Sequence, residues 1–360
     1  MIRKASIAAV CAALTIAGTA AGADDKAGNT IAADTIPAAV AHQVVDRTIE
    51  LVESKGLYPR QQAEYAQAKS ELLGVFDGQP ADIGRKDLYG RLRKLLGTLD
   101  TNGHSFIMPA GRQPQSQSQS QRQGNKPEDL RPPSFKLLTT SRGTVLRWTP
   151  PAIVGSGMNV VAPYLKGFYD EAATRPDLAQ ACALVVDLSE QTGGNAWPPF
   201  VAMYPLFGGA NKAKWVDRDG RRSDVVSLAM LQRMNRDAAG ERANPLARFG
   251  SGPLAVVVSK RTASAGEMLL VALLGEERVQ TFGSTSYGMS TANATYPMAD
   301  GSTLVLTQSR YAVGDGPVYQ GGIPAMHPGA QNETVDDAAR TAAEWAAANS
   351  PACGAKAQAS

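Results

Sequence analysis

Leu254-Ala-Val-Val-Val258, Ser259-Lys-Arg-Thr-Ala-Ser-Ala-Gly-Glu267 and Met268-Leu-Leu-Val-Ala-Leu-Leu274 form one continuous unit of strand, turn and helix. The first run is short and rich in β-branched residues, as a buried strand is; the last is longer and ends at Gly275, as a capped helix does. Between them Ala263, Ser264, Ala265 and Gly266 are small enough for a tight strand-to-helix turn. Such a turn can hold a serine hydroxyl at a helix N-terminus, where unpaired backbone N–H groups favour negative charge. Ser264 is therefore either a nucleophile for acyl transfer or the ordinary N-cap of a helix.

Working outward, a second buried strand is expected near Ala183–Leu188; its end, Val185-Val-Asp-Leu188, leads through Ser-Glu-Gln-Thr to Gly193-Gly194 and towards a helix. Paired glycines let backbone N–H groups approach a ligand closely, which an oxyanion hole requires. A ligand-free turn has the same composition. Phosphate binding lacks its Lys-Ser/Thr ending and third glycine. Further strands are expected near Thr144–Trp148, Val279–Phe282 and Thr303–Tyr311, and helices near Asn159–Ala173, Pro198–Tyr204 and from Thr334 onward. Upstream, Val40, Val44, Val45, Ile49 and Val52 recur at helical spacing up to Gly56; Tyr65, Leu72 and Leu73 suggest a second helix, and Leu88 to Leu99 a third. Such short amphipathic helices must bury their stripes against one another or on the rest of the chain.

The chain of 360 residues carries a formal charge of +3. It opens with Arg3-Lys4, an apolar run from Ala5 to Ala17 and Ala21-Gly-Ala23, the pattern of a cleavable export leader. The run is too short for a comfortable membrane span. Removing Arg3 and Lys4 with the leader takes away two positive charges and leaves +1, which gives no electrostatic case for nucleic acid. Cys182 and Cys353 would remain, either as a disulfide formed after export or as two separate thiols. From Arg112 to Pro133 the sequence is rich in Gln, Ser and Pro and cannot offset its own ordering entropy.

A serine needs a base near neutral pH, and only His42, His104 and His327 are present. His42 lies within the first helix. His104, in Thr101-Asn-Gly-His-Ser-Phe106, and His327, in Gly321-Gly-Ile-Pro-Ala-Met-His-Pro328, lie in loops, where catalytic groups are commonly mounted. The two Cys left after removal of the leader and the three His, scattered along the chain, offer no metal-ligand spacing, and no cofactor is expected.

Leu99-Asp-Thr-Asn-Gly-His-Ser105, Val185 to Gly194 and Thr262-Ala-Ser-Ala-Gly-Glu267 occur in that order, followed by Phe282-Gly-Ser-Thr-Ser-Tyr-Gly-Met-Ser-Thr291, Met298-Ala-Asp-Gly-Ser302 and Tyr319-Gln-Gly-Gly-Ile-Pro324. Together they resemble the S41 family of serine peptidases, the tail-specific or C-terminal processing peptidases, including the tricorn-core type. The resemblance implies an α/β (α+β) fold with a ClpP/crotonase-like core and an N-terminal helical domain. It also implies Ser264 as nucleophile, His104 as base and Ser105 beside them. The backbone N–H of Ala265, with that of Gly193 or Gly194, would hold the oxyanion. In the Ser–Lys branch a lysine lies where this chain has Met289, so a histidine base is implied instead. The tricorn-type glutamate would fall at Gln320, a neutral amide that can orient but not charge the relay. Glu267 is read as a partner of the helix dipole. The interval from Pro109 to Ser134 is too short for the PDZ module many relatives carry.

The expected organisation is a signal peptide at 1–23, a flexible segment at 24–38, a helical domain at 39–110, a linker at 111–133, the catalytic domain at 134–348 and a loose tail at 349–360. The expected activity is hydrolysis of a peptide or protein substrate in the periplasm or outside the cell, with no nucleic-acid partner and no integral membrane segment. The competing expectations are a peptide-binding relative that has lost its relay, motivated by Met289 and Gln320, and an esterase using the same Ser–His pair.

Overall fold

The computed structural model describes residues 34–57, 62–100, 102–110, 133–153, 159–209 and 211–354. The leader expected at 1–23 and nearly all of the linker expected at 111–133 lie outside the described residues. The N-terminal part contains strand β1 (Thr35–Pro37), helices α1 (Ala38–Lys55) and α2 (Gln62–Leu73), strand β2 (Asp82–Gly84), helix α3 (Arg85–Gly97) and strand β3 (Phe106–Met108). Strands β4 (Ser134–Thr140) and β5 (Gly143–Thr149), helix α4 (Val161–Ala173), strand β6 (Ala183–Asp187) and helix α5 (Trp197–Ala202) follow. Then come β7 (Ala213–Asp217), β8 (Arg222–Asp224), α6 (Leu228–Ala239), β9 (Leu254–Val258), α7 (Ala265–Leu274) and β10 (Val279–Gly283). The chain continues with β11 (Thr291–Pro297), β12 (Thr303–Val313), β13 (His327–Pro328) and α8 (Val335–Asn349).

Two sheets carry the architecture. The larger runs β13-β10-β9-β6-β5-β4, parallel from β13 to β5, with β4 closing it antiparallel to β5. Strand β9 is apolar at every position and β6 at all but its last, Asp187, because both faces of the sheet are covered. Leu184, Val186, Leu254, Val256 and Val258 pack with Phe168, Phe200 and Leu270 on one side. Val185, Ala255 and Val257 meet Ala339, Ala342, Ala343 and Ala346 of α8 on the other, where small side chains let helix and sheet approach closely. Ala265 through Leu273 of α7 are all buried, so this helix is enclosed on every side rather than along one stripe, with Glu267 its one charged residue. Each large aliphatic side chain buried there stabilises the fold by roughly 1.5–3 kcal/mol.

The smaller antiparallel sheet, β11-β12-β7-β8 with β3 also paired to β12, forms the floor for the N-terminal helices. Val44, Leu51, Leu72, Leu88, Leu92 and Leu96 share one apolar cluster with Ile107, Met298, Leu304 and Leu306 of that sheet and its approaches. The stripes of α1 to α3 are thus buried both against one another and against β12.

The mixed α/β architecture is the one expected, and β9 and α7 have the boundaries read from the sequence. Some local expectations do not hold. Within the segment expected to be flexible, Thr35–Pro37 pairs with Asp82–Gly84, a backbone ladder that orders it. The stretch expected to be a loose tail begins inside α8, and Ser350 donates to the Cys182 carbonyl at 2.7 Å. Cys182 and Cys353 are joined as a disulfide that fastens this end to the start of β6. Strands β4, β7 and β11 and helix α6 had no counterpart in the sequence reading.

Candidate active site

Strands β6, β9 and β10 deliver their C-terminal ends to one place, the usual position of a ligand site in a parallel sheet. The exits of β6 and β9 are laced together: Thr262 Oγ1 donates to Leu188 O at 2.8 Å, Ser259 Oγ to Ser189 O at 2.6 Å, and Ala263 N to Gln191 O at 3.0 Å. The next residue, Ser264, has φ 51° and ψ −107°. That is costly backbone for a residue with a Cβ, about 1–3 kcal/mol, and persists only because its surroundings over-determine it. Gly266 is needed two residues on, since a Cβ there would lie 2.4 Å from Gln191 O.

His104 reaches the same place from the N-terminal part. The Asp100 carboxylate accepts from the backbone N–H groups of His104 at 2.7 Å and Ser105 at 3.0 Å, folding the loop back on itself. Asn293 Nδ2 donates to His104 O at 3.2 Å. So held, His104 Nε2 lies 3.1 Å from Ser264 Oγ, and its Nδ1 lies 2.5 Å from Thr291 Oγ1. The residue is 9% exposed. Burial holds its pKa below the ordinary histidine value, partly opposed by the negative charge of Asp100. A neutral imidazole can accept from the serine hydroxyl through Nε2 only if Nδ1 carries the proton, so in that state Nδ1–H donates to Thr291 Oγ1.

Glu267 is more than a neighbour of the helix dipole. Fully buried, its carboxylate accepts from Ser264 N at 3.0 Å, Ser286 Oγ at 2.6 Å and Gly288 N at 2.8 Å. Burial raises its pKa, and those hydrogen bonds work against the rise. One carboxylate thus ties the Ser264 turn to the loop after β10.

Gly193 stands against Ser264: a Cβ built on it would lie 3.2 Å from Ser264 Cβ and 3.8 Å from Ser264 Oγ, and its φ of +115° suits glycine alone. Gly194 is bridged to Ile153 and has no room for a side chain either. Ala265 opens α7, so its N–H has no acceptor within the helix. Ser105 is buried one step away, donating to Thr307 Oγ1 at 2.9 Å and accepting from Thr307 N at 3.1 Å, rather than touching the Ser264–His104 pair. Gln320 is exposed and has no hydrogen bond to either partner among the described residues. The side chain at Nδ1 is Thr291, which the sequence reading missed; it lies in the quoted Phe282–Thr291 motif, but no spacing rule singles out a threonine there. Met289 is buried two residues before it. His42 stacks on Phe76 and His327 on Phe282, both away from Ser264. Among the described residues no group of three or more His, Cys, Asp or Glu side chains could hold a metal ion, and no helix is long and apolar enough to cross a membrane.

Residues 158–325 match the sequence profile of Peptidase family S41. This region of the chain belongs to that family. The S41 region includes Ser264, both glycines and Thr291 but not His104, which lies upstream of it. The nisin-resistance protein of Lactococcus lactis subsp. lactis is 29% identical over 126 residues, 35% of this chain and 39% of that protein. The aligned stretch is therefore well under two thirds of that relative's length. A lipoprotein structure from Streptococcus agalactiae superposes with a TM-score of 0.60 at 17% identity, covering 86% of this chain and 96% of that one. The photosystem II D1 C-terminal processing protease superposes with a TM-score of 0.52 at 14% identity over 84% and 97% of the two chains. At those identities the likeness is one of fold.

Proposed function

We propose that this S41 chain is an exported serine peptidase in which Ser264 and His104 perform acyl transfer. The observation that carries the reading is the 3.1 Å approach of His104 Nε2 to Ser264 Oγ, made by residues 160 positions apart. His104 takes the Ser264 proton as Oγ attacks the scissile carbonyl carbon, giving a tetrahedral oxyanion. The backbone N–H of Ala265, together with that of Gly193 or Gly194, stabilises the oxyanion; one such donor is worth roughly 3–4 kcal/mol in comparable hydrolases. The imidazolium then gives its proton to the leaving amine as the C–N bond breaks. Water, deprotonated by the same ring, releases the acyl group and restores the serine. Thr291 fixes the ring orientation through Nδ1 in place of a carboxylate. Ser105 and Gln320 take no direct part in this scheme.

Export is supported by the leader pattern, by the Cys182–Cys353 disulfide, which suits an oxidising compartment, and by the lipoprotein among the structural relatives.

The test is labelling and turnover. A fluorophosphonate should label wild-type protein at Ser264. Ser264→Ala should remove both label and hydrolysis, and His104→Ala should lower peptide turnover by about 10⁴–10⁶-fold, as loss of a relay member does elsewhere. His327→Ala should leave turnover unchanged. Hydrolysis surviving in Ser264→Ala would move the nucleophile to another residue.

A further inference from the structure

The loop Ser286-Tyr287-Gly288 is held from three directions. The Tyr287 amide donates to Thr262 O at 2.8 Å, two residues before Ser264. Gly288 N and Ser286 Oγ both donate to the carboxylate that accepts from Ser264 N. The Gly288 carbonyl accepts from Asn102 Nδ2 at 2.8 Å, two residues before His104. Ser286 is further locked to Ile323, whose N–H donates to Ser286 Oγ at 2.7 Å and whose carbonyl accepts from Ser286 N at 3.0 Å. The loop therefore joins the strand end bearing the nucleophile to the turn bearing the imidazole. Every neighbour of Tyr287 is fixed, yet its side chain remains 54% exposed, among the most exposed large apolar residues described.

An aromatic ring on a rigid backbone offers contact area at little entropic cost, the property of residues that dominate binding. Here its backbone is held between the segments that carry the two halves of the dyad. We infer that Tyr287 is a specificity-determining residue, packing against a large apolar side chain of the substrate close to the scissile bond. This rests on the peptidase reading above. The ring makes no polar contact with the dyad, so its contribution is selection among substrates rather than chemistry.

A synthetic peptide library, with cleavage sites read by mass spectrometry, tests the assignment on the full chain. Wild-type protein should favour Phe or Leu over Ala at one position flanking the cut. Tyr287→Phe should keep that ratio, Tyr287→Ala should lower it about tenfold, the scale of a lost apolar contact, and Tyr287→Lys should shift the same position towards Asp and Glu. A ratio unchanged in both Tyr287→Ala and Tyr287→Lys, whatever the overall rate, would assign the ring a purely structural role and overturn the inference. Absence of fluorophosphonate labelling in the wild type is a separate result and would sink the peptidase reading itself.

Discussion

Thr291 gives His104 a hydrogen-bond acceptor without a negative charge. A hydroxyl fixes tautomer and ring direction, but it stabilises a nascent imidazolium less than a carboxylate would. Thr291→Val should leave Nδ1–H buried without a partner and lower kcat/KM by about 10–100-fold, a cost of about 1–3 kcal/mol; Thr291→Ser should restore most of it. The pH profile follows from burial of the ring. The base acts when neutral, and burial lowers its pKa, so the acid limb of kcat/KM should fall below the ordinary value of 6.5. A limb above 6.5 would mean that the titrating group is another one. The small-residue turn alone left Ser264 open between a nucleophile and a helix cap, and it was the order of the motifs resembling the S41 family that singled it out. Scarcity of imidazoles narrowed the base to three candidates, and the same resemblance pointed to His104 rather than His327. Thr291 was not readable, since its role depends on a contact across 187 positions of chain.

Helix α7 and the loop after β10 act as one element through Glu267. A buried carboxylate whose pKa is raised binds its proton more tightly in the native state than in the unfolded chain. Its favourable contribution is therefore present below 4.5 and lost as pH rises through the raised native value. Glu267→Gln should flatten that part of the pH dependence of stability, measured as the difference between wild-type and variant unfolding free energies from pH 4 to 7. The same variant turns an amide N–H₂ towards a donor that a carboxylate oxygen had satisfied. Turnover should drop at least about tenfold, the equivalent of one broken buried hydrogen bond. Equal turnover would show that the loop holds without this carboxylate. At this scale the sequence was legible where burial is two-sided. The all-apolar β9 and the nearly all-apolar β6 announce themselves, whereas β11, Thr-Ala-Asn-Ala-Thr-Tyr-Pro297, is an edge strand without a strong apolar face. β8, Arg222-Ser-Asp224, is polar throughout. Their order comes from pairing with β12 and β7, which local composition does not encode.

Across the whole molecule, the disulfide fastens the C-terminal end to the large sheet 171 positions back in the chain. Replacing Cys182 and Cys353 together by serine should cost about 2–4 kcal/mol of stability. Reductant should lower the unfolding midpoint of the wild type towards that of the double variant and leave the variant itself unmoved; a wild type indifferent to reductant would mean the thiols are not joined in solution. The sequence left disulfide and separate thiols equally open because neither cysteine's neighbours reveal what lies opposite in space.

The imidazole and the alcohol of the dyad come from opposite ends of the folding problem, one from the turn after a leucine-rich helix, the other from the heart of the parallel sheet. A nascent polypeptide still leaving the ribosome carries the ring long before the hydroxyl is synthesised. Under the proposed reading, hydrolysis through this pair therefore requires both layers to be in place.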